Sequence, residues 1–282
     1  LTGERVQRER GYPGAILTRI AASHIRVGTF QYFAGQNDID GLRVLTDHAI
    51  SRHYPEAKSP MEFLDYVVRA QADLIAGWMS VGFIHGVMNT DNMAISGETI
   101  DYGPCAFLDA YHPRTVFSSI DQTGRYAFAA QPDMGMWNLA QLATALLPLF
   151  PDEDAAVEEA SEVLNQFPDL FHEAWTMRFR AKLGLTRSEE GDVDLISGLL
   201  SRMASSQSDF TLTFSALKNR DASHEVSDEG AWGSWAPDWQ ARLTREEDPD
   251  ATMSRANPLI IPRNHQIEAA IQAGIEGSYA PF

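Results

Sequence analysis

The sequence predicts a mainly helical domain with a small β element, and three observations lead there. Most of the 282 residues fall in segments whose apolar positions recur every three or four places, the period of a helix with one buried face. Two of these segments, 60–81 and 136–147, are apolar enough to be central rather than peripheral. The stretch richest in reactive side chains, 83–111, instead combines short apolar strand pieces with turn formers.

Taken in order, residues 14–32 alternate apolar and polar side chains around Ile16, Ile20, Ile25, Val27 and Phe30, which predicts short strands or extended chain. From 41 to 52, Leu42, Leu45, Ala49 and Ile50 keep helical spacing. Pro60 stands where a helix would start, and Phe63, Leu64, Val67, Val68, Leu74, Ile75 and Trp78 carry a long buried helix to about 81. That helix delivers the chain to His85. After the reactive stretch an irregular Gly/Pro-rich piece leads into an apolar helix from 136 to 147. Residues 152–184 predict one or two acidic-faced helices, with Val157, Val163, Leu164, Phe167, Phe171, Trp175 and Phe179 as core candidates. Further helices are expected over 189–205 and 208–218. A loop is expected over 221–258, where Trp232, Trp235 and Trp239 lie close together and read as packing, and a last helix follows 257–264.

A hydrophobic content of 44% is ample for a packed core. The net charge of −17 and a pI near 4.8 argue against nucleic acid or an anionic membrane as partner. No apolar run reaches membrane-spanning length and the first residues do not form a signal peptide. The single cysteine, Cys105, excludes an internal disulfide and fits a reducing compartment; the expected location is the cytoplasm for a bacterial chain, or the mitochondrion for a eukaryotic one. Cys105 reads as a small buried filler.

Within 83–111, Asp91, Asn92 and Asp101, with Gly103 two places after the last, offer two carboxylates and one carboxamide, hard oxygen ligands suited to magnesium or manganese bridging nucleotide phosphates. Protein kinases use an Asn and the Asp of an Asp-Phe-Gly turn in the same order. Counting back from Asn92, the kinase His-Arg-Asp would fall on His85-Gly86-Val87, so a valine stands where the base would be. Asp91, beside Asn92, is the candidate replacement, and His85 reads as a brace for the loop. Arg19 and Arg26 carry planar forks of donors suited to phosphate. Arg125 reads as a structural ion-pairing residue.

At these residues the chain resembles the selenoprotein O family, kinase-like enzymes that transfer AMP from ATP to protein hydroxyls. The matching stretches are PGAILTRIAASHIRVGTFQYFA, FIHGVMNTDNMAISGETIDYGPCAFLDAY, GRYAFAAQPDMGMWNLAQLA and NPLIIPRNHQIEAAI. The resemblance implies a protein-kinase-like C-terminal lobe over 1–282: an extended phosphate-contacting segment at 1–34, a metal and catalytic loop at 83–111 and a helical subdomain at 134–282. It implies Asp91 as proton acceptor, Asn92 and Asp101 as ligands of Mg2+ or Mn2+ (Asp101 also contacting nucleotide), and Arg19 and Arg26 as binders of ATP phosphates. The implied partners are ATP and proteins bearing Ser, Thr or Tyr hydroxyls, with UMP transfer from UTP left open. The family's N-terminal lobe, with its glycine-containing loop and Lys/Glu pair, has no counterpart here, nor has its cysteine pair. The chain is therefore expected to be a piece of a longer protein that binds ATP weakly alone. Two other readings stand beside this one. An aminoglycoside-kinase-type phosphotransferase also begins its loop His-Gly but places Asp where Val87 stands, and a non-catalytic pseudokinase scaffold or inert fragment needs neither base nor lobe.

Overall fold

The computed structural model describes residues 3–7, 11–226 and 229–281, and the chain divides into two compact units, 1–22 with 262–282, and 23–261. It is mainly helical. In the first unit β1 (Arg5–Gln7) pairs antiparallel with β2 (Gly11–Pro13), Val6 opposite Tyr12, and the Gly14 N–H extends the hairpin by donating to Glu4 O at 2.7 Å. The chain then runs to residue 22 without regular structure, exposing Ile16, Leu17 and Ile20.

The second unit opens with α1 (Val27–Gly35), whose first turn is closed by the Arg26 N–H donating to Thr29 Oγ1 at 3.2 Å. In α2 (Ile39–His53) the Asp38 carboxylate caps the Gly41 N–H at 2.9 Å, and Leu42, Thr46 and Ala49 form the buried stripe. In α3 (Pro60–Ser80) Ser59 Oγ accepts from the Glu62 N–H at 3.1 Å and Pro60 occupies the first turn, where its missing donor costs nothing. Twelve of its 21 residues are buried, as expected of the central helix. Then β3 (Phe83–Ile84) pairs antiparallel with β4 (Ala106–Phe107), Phe83 opposite Phe107, and the reactive loop hangs between them.

The remaining helices of the unit are α4 (Gln131–Leu146), α5 (Glu153–Leu164), α6 (Phe167–Lys182), α7 (Asp192–Ser206), α8 (Phe210–Ala216), α9 (Glu229–Leu243) and α10 (Pro249–Ala256). α11 (Asn264–Ile275) belongs to the first unit. Arg242, 3% exposed at its side chain, ties α9 to α7 through Asp192 at 2.8 Å and holds Glu246 at 2.7 Å.

Four expectations are corrected. Residues 27–32 are not extended, because Val27 and Phe30 are spaced to bury one helical face and α1 begins at Val27, whereas 14–25 form no helix and Arg26 bridges Ala94. The apolar helix starts five residues before 136, since Pro132 fits a first turn and Gly135 lies against Ile75 and Phe167. The expected loop at 221–258 contains α9 and α10; its tryptophans sit three and four apart, so they line one helical face. Trp239 is fully buried and donates its indole N–H to Leu183 O at 2.9 Å, and Trp235 donates to Leu195 O. Burying such a side chain removes about 150–250 Å² from water, roughly 4–6 kcal/mol each, which outweighs the cost of Pro237 inside the helix. Val157, taken as core, is exposed on α5.

Candidate active site

The loop after β3 is held from outside, by side chains of α4 and of the segment before it. The His85 N–H donates to Gln131 Oε1 at 3.0 Å, and Gln131 Nε2 donates to Phe83 O at 3.0 Å. Two helical turns further along the same face, Asn138 Nδ2 donates to Met88 O at 2.8 Å. Tyr126, buried, donates its hydroxyl to Asn89 Oδ1 at 2.6 Å. The loop therefore has fixed points at residues 85, 88 and 89.

His85 is the brace expected of it. Its Nε2 lies 2.8 Å from Ile100 O, and Nδ1 faces the Val87 N–H at 3.4 Å, so one neutral tautomer, protonated on Nε2, satisfies both. Burial pushes its pKa below the ordinary histidine value, against the opposing hydrogen bond to Ile100 and the charge of Asp101. Gly86 follows with φ +82°, and a Cβ there would lie 3.0 Å from Pro104 O, so only glycine makes this bend.

Residues 90–92 form a single 3-10 turn. Asn92 Nδ2 donates to Val87 O at 3.0 Å, which orients its Oδ1 as an acceptor with no partner among the described residues. Asp91 is exposed, and its carboxylate makes no hydrogen bond or ion pair among the described residues. The turn lies under the start of α1: a Cβ on Gly28 would meet Thr90 O at 3.3 Å and Asp91 Cα at 3.4 Å. The join is reinforced by Val27 N–H to Met93 O at 3.0 Å and Ile95 N–H to Ile25 O at 3.1 Å, on either side of the Arg26–Ala94 bridge.

Arg26 and Asp101 meet: Nη2 and Oδ2 are 2.9 Å apart, with side chains 31% and 21% exposed. Asp101 adopts φ +56°, a left-handed conformation that Asp tolerates better than most residues, and its carbonyl accepts the Gly103 N–H at 2.8 Å. The buried Nε of Arg26 has no partner among the described residues. Asn92 Oδ1 and the Asp101 carboxylate are hard oxygen donors of the kind magnesium takes. Among the described residues no group of three or more His, Cys, Asp or Glu is gathered to cage an ion. Such a donor set fits a metal that completes its shell with phosphate oxygens and water.

Of the other candidates, Arg19 is exposed in the irregular stretch of the first unit. Cys105 is half-buried rather than buried, and burial raises its thiol pKa. Arg125 makes no ion pair among the described residues; it lies over the Trp137 ring, 4.9 Å from the centroid. Gln131, Asn138, Tyr126 and Gly28 were missed as site residues. A signal existed for two of them, because Gln131 and Asn138 stand seven residues apart, the spacing of one helical face, in a mostly apolar segment.

A family model described as protein adenylyltransferase SelO matches residues 1–281. The chain is 56% identical over 281 residues to a protein of Ruegeria sp. named protein nucleotidyltransferase YdiU, and 58% identical over 281 residues to one of that name from Ruegeria pomeroyi. A protein of the same name from Nitrobacter hamburgensis is 54% identical over 299 residues. All of this chain is covered in each comparison, but only 60%, 60% and 59% of these relatives. The chain thus spans about three fifths of their length.

Proposed function

Because the chain belongs to the SelO family of protein adenylyltransferases, we propose that the full-length protein transfers AMP from ATP to Ser, Thr or Tyr hydroxyls of other proteins. The observation that carries the reading is the meeting of Arg26 with Asp101 beside a turn that presents a partnerless carboxylate at Asp91. A phosphate-binding cation, a metal-ligating carboxylate and a proton acceptor are the three kinds of group that nucleotidyl transfer requires.

In the proposed reaction the substrate hydroxyl oxygen attacks the α-phosphorus of ATP and gives its proton to Asp91. The bond from the α-phosphorus to the α,β-bridging oxygen breaks, and pyrophosphate leaves. Arg26, whose side chain is 31% exposed, is assigned to turn guanidinium N–H groups toward phosphate oxygens, and Arg19 is assigned the same task. Asn92 Oδ1 and Asp101 would hold Mg2+ or Mn2+, which supplies charge neutralisation to the phosphates. The bonds at 85, 88 and 89 hold the loop that leads to Asp91, which supports a preorganised site. Val87, where a kinase would carry its base, needs no chemical role in this scheme.

The reading extends to the architecture. The helical body, the two-residue strands and the loop between them support a kinase-like C-terminal lobe, with 83–111 as the metal and catalytic loop, 1–34 as the phosphate-contacting segment and 134–282 as the helical subdomain. ATP and hydroxyl-bearing proteins are the proposed partners, with UTP as a second nucleotide to test. The net charge of −17 disfavours nucleic acid, and among the described residues no helix is long and apolar enough to cross a membrane. The deciding experiment compares α-labelled and γ-labelled ATP with the full-length protein. Label should enter protein from the α position alone; label only from the γ position overturns the reading in favour of phosphotransfer.

A further inference from the structure

We propose that Arg125, laid on Trp137 at the edge of the 85–92 loop, recognises an acidic side chain next to the acceptor hydroxyl of the protein substrate. The inference rests on the transfer reading above and names the substrate chemistry that the same site selects.

Placement comes first. Tyr126, the residue after Arg125, donates to Asn89, two places before Asp91. Asn138, the residue after Trp137, donates to Met88. Both members of the Arg125–Trp137 pair are therefore one residue from a group bonded to the loop, and consecutive Cα atoms are only about 3.8 Å apart. The proposal sets the substrate polypeptide over this rim as it brings its hydroxyl to Asp91.

Charge comes second. The chain as a whole carries −17, which repels an acidic partner. Residues 111–130 depart from that balance, with Arg114 and Arg125 both exposed and Asp121 the only acid. Asp121 is turned to internal use, its carboxylate accepting the Arg125 N–H at 2.9 Å and the Tyr126 N–H at 2.7 Å. Neither arginine has a carboxylate partner among the described residues. In a protein with 39 acidic residues and 22 Lys and Arg, exposed unpaired guanidinium groups are where an incoming carboxylate would settle.

Preorganisation comes third. The Arg125 guanidinium carbon lies 4.9 Å from the Trp137 centroid and 5.7 Å from that of Tyr126, and Trp137 is 38% exposed. The ring contacts restrain the guanidinium of an exposed residue, so less rotamer freedom is lost when it grips a carboxylate.

The test uses full-length protein, α-labelled ATP and short peptides with one Ser, Thr or Tyr acceptor, made in pairs that differ only in flanking Asp or flanking Lys. Wild type should modify the Asp peptides with kcat/KM about tenfold higher, equivalent to roughly 1.4 kcal/mol. Arg125→Glu should reverse the order, and Trp137→Leu should weaken the preference, with the KM for ATP and the melting temperature unchanged in both. Equal labelling of the two sets by wild type, or an Arg125→Glu variant that keeps the Asp preference, overturns the proposal and leaves the transfer reading intact. Absence of label from every peptide overturns the transfer reading instead, and the recognition inference with it.

Discussion

Gly28→Ala separates the stability of the fold from the position of Asp91. Gly28 is the second residue of α1, and an added methyl would lie 3.3 Å from Thr90 O and 3.4 Å from both Asp91 N and Cα. Contacts this close require the neighbour to yield by a few tenths of an ångström, and the neighbour is the backbone of the 90–92 turn. On the helix side the change is favourable, because alanine is better than glycine by up to about 1 kcal/mol. The two effects largely cancel in stability, leaving a net change within about 1 kcal/mol and a small shift in melting temperature. They do not cancel in catalysis. A misplacement of about 1 Å can cost a hundredfold in rate, so a fraction of that should cost roughly three- to tenfold in kcat, or about 0.7–1.4 kcal/mol. Initial rates of AMP incorporation by the full-length variant, with thermal melts in parallel, measure both. A variant with wild-type rate and an unchanged melt would refute the claim that α1 positions Asp91. A large loss of stability would show that the contact belongs to folding alone.

Two further predictions concern groups away from the reacting atoms. Tyr126→Phe removes the hydroxyl bonded to Asn89 at 2.6 Å; it should cost about 1 kcal/mol of stability and lower kcat several-fold with the KM for ATP unchanged, and an unaltered kcat in steady-state assays would exclude Tyr126 as a positioning residue. Lys182 is 1% exposed, with its Nζ 4.1 Å and 5.3 Å from the rings of Phe214 and Phe210, and burial pushes its pKa down to about 7. Unfolded lysine titrates near 10.4, so from about pH 7 to about pH 10 the unfolded chain binds the extra proton and Lys182 makes stability rise with pH. Lys182→Met should flatten that rise and raise the melting temperature near neutral pH. Denaturation of both proteins near pH 7 and again above pH 9 checks the sign: the wild-type deficit should narrow at the higher pH, and a deficit that widens would contradict the reasoning.

Much of this fold was legible in the sequence because local chemistry decided it. Ser59 and Pro60 announce the start of α3, and the spacing of Leu42 and Ala49 fixes the buried face of α2. What misled was composition read without spacing. Trp232, Trp235 and Trp239 stand at helical intervals, yet the surrounding Gly, Ser and Pro residues suggested a loop; burial of three indoles overrides weak local propensity. At the site, Asp91, Asn92 and Asp101 are visible as a motif because they lie close in sequence. Gln131 and Asn138 reach the loop from more than forty residues away, and only the folded chain brings them there. The contact between Arg26 and Asp101 spans 75 residues and is likewise invisible in the sequence, though each residue stands out there separately.

The frame around the 85–92 loop grips backbone almost everywhere. Gln131 engages the His85 N–H, Asn138 engages Met88 O, His85 Nδ1 takes the Val87 N–H and Asn92 takes Val87 O. None of these bonds depends on the side chain at position 87. The loop is in that sense a mould whose shape is indifferent to one of its own residues, so a descendant could trade the occupant of position 87 and keep the geometry at Asp91 and Asn92. A scaffold of this kind lets new reactivity arise by single substitutions, with refolding never at stake.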